Sequence, residues 1–492
     1  MRAGAATTST HPIVRETPAG VSAEAAPLAL LALGAASLGL YFWGRDLHRF
    51  TQWIAAYIGL FIGQLVLYVL ACYVVQRWSG RSSRAGRWVT VAAVIFFAAA
   101  SRAVLAPQRP YLSSDVYRYV WDGRVQAAGI NPYRYVPEAD ELSGLRDDRI
   151  YPNINREDKQ WRSPYPPVAQ MIFLAVARMR PMSVSAFKAA ISLFDLLTVL
   201  LLMIVLARSG VDPARAVIFA WHPLAIFEGA HSGHIESAYI AFLALALLAW
   251  SSRKHALAGV SLALATLVKF YPALLLPAFL VVKPSRASGR DNEAAGRNLV
   301  ARVIHKGNLA MLAAFSATIV LAYAPYWSAG ANLFAFVRGY AEEEGFVQSG
   351  ARYFFLDALR EAVSIPTNVF LVFGAAVLVG VGVWRLALVK RDASDLARGA
   401  LALIGTYLLL TTPRYAWYYV WLLPFLCFAP ALGWLYLASA SVLLYLVWYT
   451  PLVYPEAPLW LGVSIYVPAL AWLAWERFGY ARHADVHGPA QR

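Results

Sequence analysis

Long apolar runs, separated by short polar turns, recur from about residue 25 to about residue 476. The first three lie near 25–43, 52–76 and 88–106. A span at 185–207 follows a shorter apolar stretch at 166–180, which reads as interfacial or re-entrant. Runs 216–230 and 237–251 form a hairpin, and 256–268 with 273–282 form a second one whose arms are short enough to be broken helices. Spans near 309–327, 367–389, 399–412, 416–429, 431–449 and 459–475 complete the pattern. A bilayer core of about 30 Å takes some 20 apolar residues of helix. The pattern therefore predicts an all-α polytopic membrane protein of roughly 13–14 transmembrane helices.

Composition agrees. Of 492 residues, 59% are hydrophobic and 14% charged, with a mean hydropathy of +0.51. This excludes a disordered chain, a collagen and a small disulfide scaffold, and argues against a soluble enzyme. No long polar block could build a second domain. The chain divides into a polar tail at 1–24, which lacks the compact layout of a cleaved signal peptide, a single membrane domain at 25–476, and a cytoplasmic tail at 477–492. Cys72 and Cys427 both sit in apolar runs, so no disulfide framework exists.

The formal charge of +15 could suggest nucleic acid, but its placement does not. Arg77, Arg81, Arg84 and Arg87 share one short loop, and the loop 283–308 holds Lys283, Arg286, Arg290, Arg297, Arg302 and Lys306. By the positive-inside rule both are cytoplasmic. The stretches 107–164 and 328–366 then face outward. The first carries nine acidic and nine basic side chains, and its Trp, Tyr and Pro content argues for order.

That loop opens with Ser113-Ser114-Asp115-Val-Tyr-Arg118-Tyr-Val-Trp-Asp122. On a helix Asp115, Arg118 and Asp122 share a face. A carboxylate there can accept the proton of an acceptor hydroxyl, and an arginine can meet a phosphate with forked hydrogen bonds. The same pattern also fits a helix cap at Asp115 and a surface pair of Arg118 with Asp122. His231-Ser-Gly-His234-Ile-Glu236 has metal-binding side chains, but Gly233 spoils the helical spacing, so sugar hydrogen bonding competes with that reading. Lys269 beside Tyr271, Arg414 among aromatic residues, and Arg352 are three outward cations suited to a lipid phosphate or to an interface belt. Asp195, one face-repeat or so from Lys188, lies mid-span and is either functional or a polar contact between helices. Glu228, near a helix end, could simply reach the interface. Taken together these features suggest transfer of a group from a lipid phosphate to a hydroxyl.

The order of these motifs resembles the GT-C superfamily of polyprenyl-phosphate-sugar-dependent glycosyltransferases. It is similar to bacterial alpha-mannosyltransferases, to glycosyltransferase family 87 and to the first mannosyltransferase of GPI-anchor synthesis. The blocks that carry the likeness are Ser114-Asp115-Val-Tyr-Arg-Tyr with Asp122-Gly and Gly129-Ile-Asn-Pro-Tyr133, Asp195-Leu-Leu-Thr198, Trp221-His-Pro-Leu with Glu228 and Ser232-Gly-His-Ile-Glu-Ser237, and Val268-Lys-Phe-Tyr-Pro272. They span roughly residues 88–430 and leave the two N-terminal spans outside.

The resemblance implies that Asp115 is the general base and Asp122 a second acidic residue of the site. Lys269, Arg352 and Arg414 would contact the donor phosphate. His234 and Glu236 would line the sugar site, and Arg118, His231 and Tyr271 are grouped with them as sugar- or acceptor-binding residues. The implied reaction is inverting transfer of a hexose, with mannose the favoured sugar, from a polyprenyl-phosphate donor to a glycan or glycolipid, outside a bacterial cytoplasmic membrane. Val116, where some relatives carry a second adjacent acid, argues against a divalent metal, and no cofactor is expected. The expected partners are the lipid-linked sugar donor, the acceptor and the bilayer, and no nucleic acid. A multi-span transporter or flippase of a lipid-linked sugar is the alternative, favoured by Asp195 and disfavoured by the aromatic outer loop.

Overall fold

The computed structural model describes residues 25–47, 53–280, 303–334, 353–361, 363–388, 392–449 and 458–486. The polar N-terminal tail, most of the basic loop, Glu342–Glu344, Arg352, Lys390 and Arg391 lie outside these residues. Every regular element among the described residues is helical, so the protein is an all-α polytopic membrane protein.

Among the described residues, eight helices are long and apolar enough to cross a membrane. They are α1 (Ala26–Gly44), α2 (Trp53–Trp78), α3 (Arg84–Leu105), α6 (Val184–Arg208), α9 (Lys306–Tyr323), α10 (Thr367–Ala387), α11 (Ala393–Thr411) and α13 (Leu459–Val486). Between them come α4 (Asp115–Ala127), α5 (Pro167–Met179), α7 (Glu236–Ser251), α8 (His255–Thr266) and α12 (Leu432–Ala440). Large apolar side chains such as Phe42, Ile62, Trp88, Phe96, Leu193 and Val379 are exposed on the bundle's outside, where lipid rather than water suits them.

The shorter apolar runs differ from the continuous spans read from the sequence. The run 216–230 is split by a break at Trp221–His222. Pro223 has no N–H to give the preceding turn, and the His222 ring accepts from the Leu224 N–H at 3.2 Å. Phe227–Ser232 then winds into a single π turn. The second hairpin breaks as expected: α8 ends at Thr266, and Pro272 and Pro277 leave two short turns, Tyr271–Leu275 and Leu276–Phe279. At the other end of the chain α13 continues to Val486, through most of the stretch assigned to a tail.

The loop 107–164 is built onto the bundle. Val116, Tyr119, Val120, Trp121 and Val125 of α4 are buried, and Tyr119 stacks on Phe173 of α5 with centroids 5.0 Å apart. Gly123 makes this approach possible, since a Cβ there would lie 2.4 Å from the Phe173 carbonyl oxygen.

The mid-span charge of Asp195 has a structural partner. Its Oδ2 lies 2.9 Å from Arg102 Nε of α3, and both side chains are 1% exposed. Arg102 also donates to the carbonyls of Ala98 and Ala220. The pair ties α3 to α6 directly beneath the π turn, where a Cβ on Gly229 would strike the Asp195 carboxylate. Lys188, two turns away on α6, donates to the carbonyls of Leu105 and Gln108.

Candidate active site

The site gathers where α4, the π turn and the second broken hairpin meet. Ser114 is the N-cap of α4, and Asp115 is the first helical residue. Asp115 therefore does not occupy the capping position that the sequence left open for it. Its carboxylate is 24% exposed and lies 3.9 Å from His234 Nε2, with the Tyr119 hydroxyl at 3.5 Å. Behind His234 stands Glu228, whose Oε2 is 3.0 Å from Nδ1. The Tyr445 hydroxyl donates to the other Glu228 oxygen at 2.7 Å. The Trp417 ring lies against the imidazole with centroids 4.0 Å apart.

The π turn sets this line of groups. Gly233 follows it at φ 77°, in the left-handed region that favours glycine. A Cβ there would also meet the Lys188 stem at 2.8 Å and Val116 at 3.2 Å. The reversal sends the three polar side chains of the motif to different partners. The His231 ring sits against Tyr111, with centroids 4.0 Å apart. His234 faces Asp115 and Glu228, and Glu236 pairs with Lys269. Among the described residues no group of three or more His, Cys, Asp or Glu side chains stands ready to hold a metal ion.

Lys269 is 6% exposed. Its ammonium is held by Glu236 and lies 4.9 Å from the centre of the Tyr418 ring. Tyr271 packs edge-on or tilted against Tyr418, Trp421 and Tyr239, forming an aromatic wall beside that ammonium. Arg414 precedes the stacked Tyr415–Trp417 pair, whose centroids are 4.4 Å apart. The same turn thus carries Arg414 and places Trp417 on His234.

Two residues expected beside Asp115 point elsewhere. Arg118 and Asp122 are buried, at 3% and 2% exposure. Arg118 Nε donates to Asp122 Oδ1 at 2.8 Å, and its other nitrogens donate to the carbonyls of Asp158 and Trp161. Asp122 Oδ2 accepts from Ser163 and Gln170. The pair holds the end of the loop onto α4 from inside, as the neutral amide network of Gln126, Gln170 and Tyr326 does beside it.

The sequence singles out nothing at Asp158 and suggests for Glu228 only a reach to the interface. Glu228 is 1% exposed and does not reach an interface. Asp158 lies in the short helix Arg156–Gln160. Burial and the neighbouring Asp115 charge push its pKa up to about 6, against the pull of Arg118. The only sequence signal for Glu228 was its place in a block carrying the family resemblance.

A sequence profile for the N-terminal domain of alpha-(1->6)-mannopyranosyltransferases matches residues 23–284, and one for glycosyltransferase family 87 matches residues 164–413. The chain belongs to the alpha-(1->6)-mannopyranosyltransferase family. It is a glycosyltransferase embedded in a membrane. The first match begins at residue 23, so this glycosyltransferase family includes the two N-terminal helices that the motif resemblance left outside. Both matches cover Glu228, His231, His234, Glu236 and Lys269, and the second ends one residue before Arg414. No curated protein and no solved structure matches the glycosyltransferase.

Proposed function

We propose that the chain transfers mannose from a polyprenyl-phosphate donor to a hydroxyl of a glycan or glycolipid, by single displacement with inversion, on the outer face of a bacterial cytoplasmic membrane. The observation that carries this reading is the position of Asp115. Its carboxylate is partly open, at the start of a helix clamped onto the bundle, and faces a buried line of His234, Glu228 and Tyr445. The outward assignment rests on the arginines at the opposite end of α3.

In the proposed step the acceptor oxygen attacks the anomeric carbon while its proton passes to Asp115. The bond from that carbon to the phosphate oxygen breaks, and polyprenyl phosphate leaves. Lys269 meets the phosphate charge with donors that Glu236 does not use, and Arg414 approaches from the aromatic turn. Glu228 fixes the His234 ring, and His234 in turn fixes the face of Asp115. His231, His234, Glu236 and Tyr271 border the sugar. Arg118 and Asp122 keep the loop in register and do not touch substrate. No cofactor enters the step.

The test is purified protein in lipid with radiolabelled polyprenyl-phosphate-mannose and a panel of glycan and glycolipid acceptors. Labelled product from the wild type, with a new linkage of inverted anomeric configuration, is the expected result. Transfer from a nucleotide sugar with none from the lipid-linked donor would overturn the donor assignment. The transporter alternative loses its main support, because the Asp195 carboxylate is held by Arg102.

A further inference from the structure

α11 ends on a residue that helix ends seldom use. Thr412 caps it at φ 37° and ψ 63°, in the left-handed region that suits glycine or asparagine. A β-branched side chain is crowded there, and such strain persists only where the surroundings fix it. What threonine adds over glycine is a hydroxyl. Thr412 is buried, and its Oγ1 accepts from the Phe354 N–H at 2.8 Å. Phe354 opens the short helix Phe354–Arg360, so its N–H has no carbonyl to meet within that helix. The chain just after Thr412 is held from another side. The Tyr419 hydroxyl donates to the Pro413 carbonyl at 3.1 Å and lies 2.6 Å from the Tyr466 hydroxyl of α13, which leaves Tyr466 as the donor in that pair. The Phe354 ring stacks on Tyr466 with centroids 5.4 Å apart. The contacts therefore close a ring through Thr412, Phe354, Tyr466, Tyr419 and Pro413. Arg414 is the next residue, and Trp417, which lies against His234, follows in the same turn.

We propose that Thr412 is a positioning residue for donor binding: its hydroxyl and its left-handed backbone aim the Arg414 turn at the donor phosphate. The inference rests on the donor reading above. Thr412 touches neither phosphate nor sugar and acts through Arg414. Its hydroxyl ties the turn to the segment 353–361, and Tyr419 ties it to α13, so Arg414 is presented in one direction before the donor arrives. A cation ordered in advance loses less freedom on binding, which favours the bound state. A helix end alone needs no hydroxyl and is better served by glycine.

The experiment measures equilibrium binding of radiolabelled polyprenyl-phosphate-mannose, polyprenyl phosphate and polyprenol to the full chain in lipid nanodiscs. Thr412→Val keeps the shape and deletes the acceptor. It should weaken both phosphate-bearing ligands about tenfold, the size of one hydrogen bond, and leave polyprenol binding unchanged. Thr412→Ser keeps the hydroxyl and should bind as the wild type does. In an Arg414→Gln background Thr412→Val should add no more than about twofold, because the group it aims is gone. Melting temperatures identify a misfolded variant. Should Thr412→Val be one, Tyr419→Phe, which releases the Pro413 carbonyl, carries the same expectations. Donor binding unchanged in the folded variant would overturn the proposal. So would an equal loss for polyprenol, or a full tenfold loss on top of Arg414→Gln. A wild type that binds neither phosphate-bearing ligand would overturn the donor reading and this inference with it, a result distinct from donor binding that Thr412 does not influence.

Discussion

The first turn of α4 and its third turn are seven residues apart, carry one aspartate each, and are built for opposite ends. Asp115, in the first turn, is 24% exposed, and its nearest basic group is an imidazole nitrogen 3.9 Å away. Asp122, in the third, is 2% exposed and accepts from Arg118, Ser163 and Gln170. A carboxylate buried with both oxygens engaged holds structure and has no open face toward a proton from outside. One with an open face and an oriented neighbour can take one. A sequence shows two aspartates on one helical face, and only the surrounding side chains tell them apart.

This contrast can be broken by substitution. Asp115→Asn removes the base and leaves its shape, so turnover should fall by roughly 10²–10⁴-fold with the melting temperature unchanged. Asp122→Ala should act the other way. It strands the buried Arg118 guanidinium and should cost about 3–5 kcal/mol of stability in denaturant unfolding, while the fraction that remains folded still transfers sugar. Glu228→Gln sharpens the comparison from behind. Losing the charge against His234 should lower turnover about tenfold, and Tyr445→Phe, which keeps that charge, should cost less.

The smallest effect is on pH. Asp158 has a raised pKa of about 6, set first by burial and then by the Asp115 charge. Its protonated form therefore stabilises the loop fully below the ordinary aspartate range, and that contribution is lost as pH rises through about 6. Hydrogen exchange of residues 107–164 should quicken across that pH, and Asp158→Asn should flatten the profile. A profile of unchanged shape in Asp158→Asn would assign the transition to another group.

The membrane architecture was legible in the chain because lipid demands long apolar helices, and each such run announces itself. Breaks caused by Pro223, Pro272 and Pro277 were only half legible. The second hairpin's short arms showed them, whereas 216–230 read as continuous because its residues are apolar on both sides of the break. In the site, His234, Glu236 and Lys269 stood out as polar groups in apolar surroundings. Their partners did not. Glu228 and Tyr445 are 217 positions apart, and Trp417 reaches His234 from a turn near the far end of the chain. Such pairings arise only when the helices pack. Asp195 illustrates the reverse difficulty. A lone mid-span charge suggests transport until Arg102, 93 positions earlier, is found against it.

The central claim is that Asp115 takes the acceptor's proton while Asp122 only holds the loop. One assay tests it directly: single-turnover transfer from radiolabelled polyprenyl-phosphate-mannose by the wild type, Asp115→Asn and Asp122→Asn, each normalised to folded protein. The account predicts transfer abolished or nearly so in Asp115→Asn, with donor binding kept, and transfer largely retained in folded Asp122→Asn. Full transfer by Asp115→Asn, or its selective loss in folded Asp122→Asn, would contradict it.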